Sequence, residues 1–258
     1  MYTDMKKLYK LFVSIKEMGY VESARKGRGG VGHTFEELIN KKEDTLPLPD
    51  FGCIEIKTCI RYTNKEIYLF CANPDGEGES PIQRIADKVG YPDKIYRNVK
   101  VFNMRFNAKS YSNIGFYKMG RIIVDREEKK LKFKVINNEY NDLNLNVTWS
   151  FDMLMDRLYQ TLKYLAVVYA DRIKKNNIDW FHYYDIYFYK LNDFDTFLKL
   201  VEEGEIDIIF NIGVYRRGVK EGEMNNRGVE FSIHRDSLPV LFERVRLYGH
   251  EAQKKVTT

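Results

Sequence analysis

No apolar run in the chain is longer than Tyr164 to Ala170, far short of the roughly 20 residues that a membrane-spanning helix needs. Several other segments alternate apolar and polar residues instead, from GCIEIKTCIRY (52–62) to VEFSIH (229–234). Period-2 alternation is the signature of strands with one face in a core and the other toward water. The first constraint is therefore a soluble protein organised around sheets. Its 258 residues suffice for one large domain or two lobes sharing a core.

The elements follow from spacing. Met5, Leu8, Leu11, Phe12, Ile15 and Met18 predict an amphipathic helix over 3–18, stopped at Gly19. GRGGVG (27–32) predicts a flexible basic link into a second helix over 33–41. After Pro47 and Pro49, GCIEIKTCIRY and NKEIYLFCAN are expected to form a hairpin. A helix is expected at 81–89, with strands near 100–106, 114–124 and 130–136, the last two joined by the turn DREEKK. Apolar positions from Phe151 to Tyr169 predict the longest helix, over 150–173. Then come a strand at 180–191, a helix at 194–202, strands at 206–215 and 229–234, and a helix over 237–246. The fold class is α+β, a mixed, largely antiparallel sheet flanked by helices. The polar stretch NDLNLN (141–146) suggests a boundary between a lobe of residues 1–145 and a lobe of residues 146–258.

The N-terminus MYTDMKKLYKLF has no continuous apolar core ahead of a cleavage site, so it belongs to the fold. Cys53, Cys59 and Cys71 form no CxxC pair and suit a reducing interior as buried thiols, which implies a cytoplasmic address. His33, His182, His234 and His250 match no common zinc spacing. The glycine-rich stretch is followed by no GK[ST], which argues against a nucleotide-binding loop.

The net charge of +5 arises from 42 basic and 37 acidic side chains, so only the distribution of charge is informative. Arg216, Arg217, Lys220, Arg227, Arg235, Arg244 and Arg246 cluster within the last fifth of the chain. Such a density can meet phosphates or base edges, or be an ordinary solvated face. Arg216, Arg217, Lys220, Arg227, His234 and Arg235 fall at strand ends or in the loop between strands, and are the DNA-binding candidates; Arg244 and Arg246 fall on a helix surface.

The chemistry concentrates in PDFGCIEIKT (49–58). Residues two apart in a strand share a face, so Glu55 and Lys57 project together while Ile54 and Ile56 enter the core. Asp50 joins them if the chain turns at Phe51 and Gly52. Two carboxylates are the oxygen donors of a Mg²⁺ site, and a lysine beside them can hold or deprotonate a water. Glu36 or Glu37, on the preceding helix, can approach from the side. The bland account is a cross-strand ion pair on a solvated face.

PDFGCIEIKT, together with GGVGHTFEEL (29–38), resembles the PD-(D/E)-x-K nucleases, in the branch that holds MutH, MvaI and BcnI; the acid-x4-acid-x-lysine spacing is that of MvaI. RGVEFSIHRDSLPVLF (227–242) is similar to the C-terminal strand and helix of these enzymes. The resemblance implies a restriction-endonuclease-like α/β/α core, with Asp50 and Glu55 as metal ligands, Lys57 as the group that positions water, and Glu36 as the helix acid, with Glu37 as the fallback. It also implies a catalytic first lobe and a DNA-recognition second lobe. The implied reaction is Mg²⁺-dependent hydrolysis of double-stranded DNA by a monomer at a short CCNGG-type site, CCWGG by likeness to MvaI. A MutH-like repair nickase and a DNA-binding protein that does not cut are the alternatives.

Overall fold

The computed structural model describes residues 1–27, 29–41, 48–62, 66–75 and 80–247. Arg28, Pro47 and His250 lie outside them. Along the chain run α1 (Tyr2–Glu17), β1 (Val21–Glu22), α2 (Gly30–Leu38), β2 (Glu55–Ile60), β3 (Glu66–Cys71), α3 (Pro81–Val89) and β4 (Tyr91–Pro92). Next come β5 (Lys100–Phe106), β6 (Ser112–Ile114), β7 (Lys118–Asp125), β8 (Lys130–Asn137), β9 (Thr148–Ser150), α4 (Phe151–Leu162) and β10 (Tyr164–Lys175). The last elements are β11 (Ile178–Leu191), α5 (Phe194–Glu202), β12 (Ile206–Val214), β13 (Met224–His234), α6 (Leu238–Leu241) and β14 (Phe242–Val245). The class is mixed α+β with largely antiparallel sheets, as expected. None of the described helices is long and apolar enough to cross a membrane.

Two compact units interleave in sequence. One comprises Met1–Ile67, Leu158–Asn192 and the stretch from Leu238; the other comprises Tyr68–Arg157 and Asp193–Ser237. The expected cut near residue 145 is therefore not where the chain divides. NDLNLN is no linker: Leu145 and Val147 are buried, Leu143 N–H bonds to Val135 O, and the Arg84 guanidinium donates to the carbonyls of Leu145 and Asn146. The period-2 spacing of Leu143, Leu145 and Val147 is itself a strand pattern.

In the first unit β11 lies between β10 on one side and β1 and β14 on the other, and β2 forms the far edge by pairing parallel with β10. Met5, Leu8, Phe12 and Ile15 of α1 and Val31 and Phe35 of α2 form one core with Ile56, Ala166, Val168, Ala170, Phe181, Tyr183, Ile186 and Phe188. Each large side chain buried there contributes about 1.5–3 kcal/mol. A bulge in β11 opposite Tyr169 and Ala170 shifts the inward phase from Phe181 and Tyr183 to Ile186 and Phe188, so the same face stays apolar along the strand.

Three expectations fail here. The 150–173 helix stops at Leu162, and the run that follows is strand β10, with Leu165, Ala166, Val167, Val168 and Ala170 fully buried. A strand covered on both faces reads as a continuous apolar run, which spacing alone cannot tell from a helix. β2 and β3 form no hairpin, because alternation marks a strand without naming its partner; β2 pairs with β10, and β3 with β13. The 237–246 helix shrinks to a 3-10 turn and α6, after which Phe242–Val245 pairs with the outer edge of β11.

The second unit holds a sheet of order β3-β13-β12-β5-β4 and another of order β6-β7-β8-β9. Rings from both form its core, Phe133 lying 4.8 Å from Phe210 and 4.7 Å from Phe106, with Trp149 edge-on to Phe231. The Trp149 indole N–H donates to Ala72 O at 2.9 Å.

Candidate active site

The glycines ahead of α2 do more than link. Gly29, at φ +85°, begins the turn into α2, so Gly30, Val31 and Gly32 are helical where a flexible connection was expected. A Cβ on Gly30 would lie 2.7 Å from Ser23 Oγ and 3.0 Å from the Arg25 carbonyl oxygen; on Gly32 it would lie 3.3 Å from Thr58 Oγ1 of β2. The helix thus rests close on the sheet, and the buried Tyr183 hydroxyl fixes it further by donating to Val31 O at 2.7 Å. Gly30→Ala is expected to push α2 off its seat and to lower stability by about 1–3 kcal/mol, measured by urea denaturation.

The C-terminus of α2 supplies a cation that the spacing did not reveal. Asn40 adopts φ +58°, and the Lys41 N–H bonds back to Glu36 O at 2.9 Å, the six-to-one closure of a Schellman turn. The chain leaves the helix with the Lys41 ammonium on Asp50 Oδ1. The only sequence signal was the asparagine, a residue tolerant of the left-handed region.

Asp50 is placed by a tight turn. Phe51 and Ile54 exchange two backbone hydrogen bonds of 2.9 Å across Gly52, which has φ +60°. Asp50 Oδ2 then accepts the Ile56 N–H at 2.8 Å. β2 is an edge strand, so this carboxylate satisfies a donor on its open side. Lys57 Nζ lies 2.6 Å from Glu55 Oε1, the same-face pair expected from the alternation.

The four predicted residues therefore come together in the first unit. Burial, and then the charge of Asp50, push the Glu55 carboxyl above its ordinary range, against the pull of Lys57 and Lys41. The Glu36 carboxyl is raised by burial first and then by Asp50, while Lys41, His33 and Lys57 pull it down. Glu37 turns away, pairing with His33 at 3.1 Å on the exposed side of the helix. The geometry thus favours Glu36 over Glu37 as the acid facing the cluster. Two carboxyls raised first by burial and then by the charge of Asp50 mark a place where further positive charge is favourable. The carboxylate oxygens of Asp50, Glu55 and Glu36, beside the two lysines, are a donor set that fits a hard divalent cation.

The predicted DNA-binding residues, apart from His234 and Arg235, are exposed on the second unit, and they are not equivalent. Arg216 makes a two-pronged pair with Asp93, at 2.8 and 2.5 Å. Arg227 lies across Gly213, and His234 sits 3.4 Å from Glu205 and 3.5 Å from Asp207. Arg217 and Lys220 are exposed with no carboxylate partner among the described residues, and Arg235 is half-exposed. Of the cysteines, Cys59 is buried, Cys53 half-buried and Cys71 exposed, so the thiols are not uniformly core.

A helix acid, an edge-docked aspartate and an E-x-K strand are thus gathered at one edge of the first unit's sheet, with carboxylate oxygens that could hold a divalent cation. The chain belongs to the MvaI/BcnI restriction endonuclease family, whose model matches residues 9–242. It is accordingly a site-specific type II deoxyribonuclease. The structure of restriction endonuclease MvaI in complex with its cognate DNA substrate is 27% identical, covers 93% of this chain and 96% of its own, and superposes with a TM-score of 0.86. MvaI in the absence of DNA is 26% identical over 95% of this chain and 98% of its own, with a TM-score of 0.60. No curated protein matches the chain.

Proposed function

We propose that the enzyme hydrolyses phosphodiester bonds of duplex DNA with Mg²⁺, at a short near-palindromic CCNGG-type site, CCWGG by likeness to MvaI, acting as a monomer. The convergence of Asp50, Glu55, Lys57 and Glu36 around the edge of β2 carries this reading.

Asp50 and Glu55 would hold the ion, with Glu36 beside them. When bound, it polarises the phosphodiester and offsets the charge that develops on it. Lys57 positions the attacking water from Nζ, held in place by its hydrogen bond to Glu55. The buried isoleucines on either side of Glu55 fix the direction of its side chain, so little reorganisation is needed at the moment of attack. As the water oxygen bonds to phosphorus it gives up a proton to solvent, a P–O ester bond breaks, and the departing alkoxide takes up a proton from solvent. Lys41 keeps Asp50 seated on the strand edge. The second unit, with its exposed Arg217 and Lys220, supplies contacts to the duplex.

Digestion of a defined plasmid with purified enzyme and Mg²⁺, followed by sequencing of the ends, tests the proposal. Discrete double-strand ends at CCWGG are expected. Ends at random positions, or no cleavage, would overturn it, and nicking only in the presence of an added activator would give a repair nickase instead.

A further inference from the structure

The nine residues between β12 and β13, YRRGVKEGE, could have been a loose basic loop, yet they are closed by their own backbone. Tyr215 N–H bonds to Glu223 O and Gly222 N–H to Tyr215 O, both at 3.0 Å, while Glu221 N–H reaches Gly218 O and Glu223 N–H reaches Lys220 O. Gly218 and Gly222 take the φ values of +83° and +85° that these turns require.

The base of the loop is fastened to the 93–99 turn of the same unit at two points. Asp93, 5% exposed, accepts the N–H groups of Ile95 and Tyr96 on Oδ1 at 2.9 Å each. It then takes both prongs of Arg216, Nη1 on Oδ1 and Nη2 on Oδ2. Tyr96 donates its hydroxyl to Glu221 at 2.6 Å, and its ring covers Gly222, where a Cβ would lie 3.3 Å away. Beyond these two fastenings Arg217, Val219 and Lys220 project into solvent, Val219 fully exposed. A fixed planar fork on a buried carboxylate is an anchor rather than a reading group.

We propose that Asp93 and Tyr96 are positioning residues that hold the β12–β13 loop as a preformed contact head, whose Arg217 and Lys220 engage the phosphates of duplex DNA. Arg216, the first of the predicted DNA contacts, then acts through the loop and not on the duplex. This rests on the DNA-cleaving function proposed above, but not on its recognition sequence. Preorganisation matters because a loosened loop would have to be ordered on contact, a cost that two screened phosphate contacts do not return, so unfastening it is expected to lose those contacts.

The test is salt-dependent binding of a fluorescein-labelled random-sequence duplex, followed by anisotropy in EDTA between about 50 and 200 mM salt. Each phosphate contact contributes about 0.9 to the slope of log K against log salt. Arg217→Ala with Lys220→Ala should therefore flatten the slope by about 2. Asp93→Asn keeps Oδ1 for the turn but presents an amide to Arg216 Nη2. It should flatten the slope by about 1–2 even though it removes a negative charge, which by itself would strengthen binding. Adding the two tip substitutions to Asp93→Asn should change little further, the non-additivity of residues acting as one unit. Arg216→Lys and Tyr96→Phe should act in the same direction and carry the test if Asp93→Asn does not fold. Wild-type slopes in these variants, or a full tip effect within the Asp93→Asn background, would overturn the proposal while leaving the nuclease reading in place. A wild-type enzyme that cuts plasmid DNA with Mg²⁺ but does not bind this duplex would overturn the loop proposal alone, and one that neither binds nor cuts would remove both.

Discussion

Lys57→Ala should slow cleavage of plasmid DNA by on the order of 10²–10⁴-fold while changing duplex affinity by less than about threefold. The ammonium sits 2.6 Å from Glu55 and is about a quarter exposed, so it faces the place where a water would be held without being buried in the fold. On the proposed mechanism its removal takes away the group that orients that water and leaves Asp50 and Glu55 in place. A general base or positioning group acts only on the chemical step, so the loss should fall on kcat with KM little changed. The competing account is that Lys57 merely neutralises Glu55. It predicts the opposite pattern: weaker metal response, lower stability and only modest loss of rate at saturating Mg²⁺. Single-turnover cleavage at saturating enzyme, with thermal unfolding of the same preparation, separates the two. A variant that binds normally and cuts at the wild-type rate would remove Lys57 from the mechanism.

What could be read from the residues was whatever depends on local geometry. Glu55 and Lys57 share a face because strands alternate, and the turn that brings Asp50 back needs only a glycine at the right place, which Gly52 supplies. Helices α3 and α5 were equally legible, since their apolar stripes, a proline at the start of one and an aspartate cap on the other are all written within nine residues. What depends on a distant partner was hidden. β2 finds its neighbour in β10, more than a hundred residues away, and β10 looked helical because a strand covered on both sides loses its alternation. β14 is a strand because β11 offers it an edge, a fact absent from its own sequence. The same limit governs the charges: Lys41 on Asp50 and Arg216 on Asp93 are pairings across loops, so the sequence marked Arg216 without its partner and did not mark Lys41 at all. Only a geometry that seats Glu37 on His33 could separate it from Glu36.

Glu55→Gln should leave the metal-free enzyme at least as stable as wild type, abolish most of the rise in melting temperature caused by Mg²⁺, and reduce cleavage by on the order of 10³-fold. The first expectation follows from the direction of the shift at Glu55. Its carboxyl is raised above the ordinary range, so the folded protein disfavours the ionised form: burial and the nearby Asp50 outweigh the attraction of Lys57 and Lys41. A neutral isostere relieves that strain, and the lysine left behind keeps access to water. The second follows because a ligand that binds only the folded state stabilises it in proportion to its affinity, and glutamine offers a neutral oxygen where the ion favours a charged one. The third follows from the several kcal/mol of transition-state stabilisation that a bound metal supplies, each 1.36 kcal/mol being tenfold in rate. Differential scanning fluorimetry with and without Mg²⁺ reads the first two expectations independently of activity. A Glu55→Gln protein that melted well below wild type without metal would show that Glu55 is held for structure. One that kept the full Mg²⁺ shift would place the ion elsewhere in the molecule.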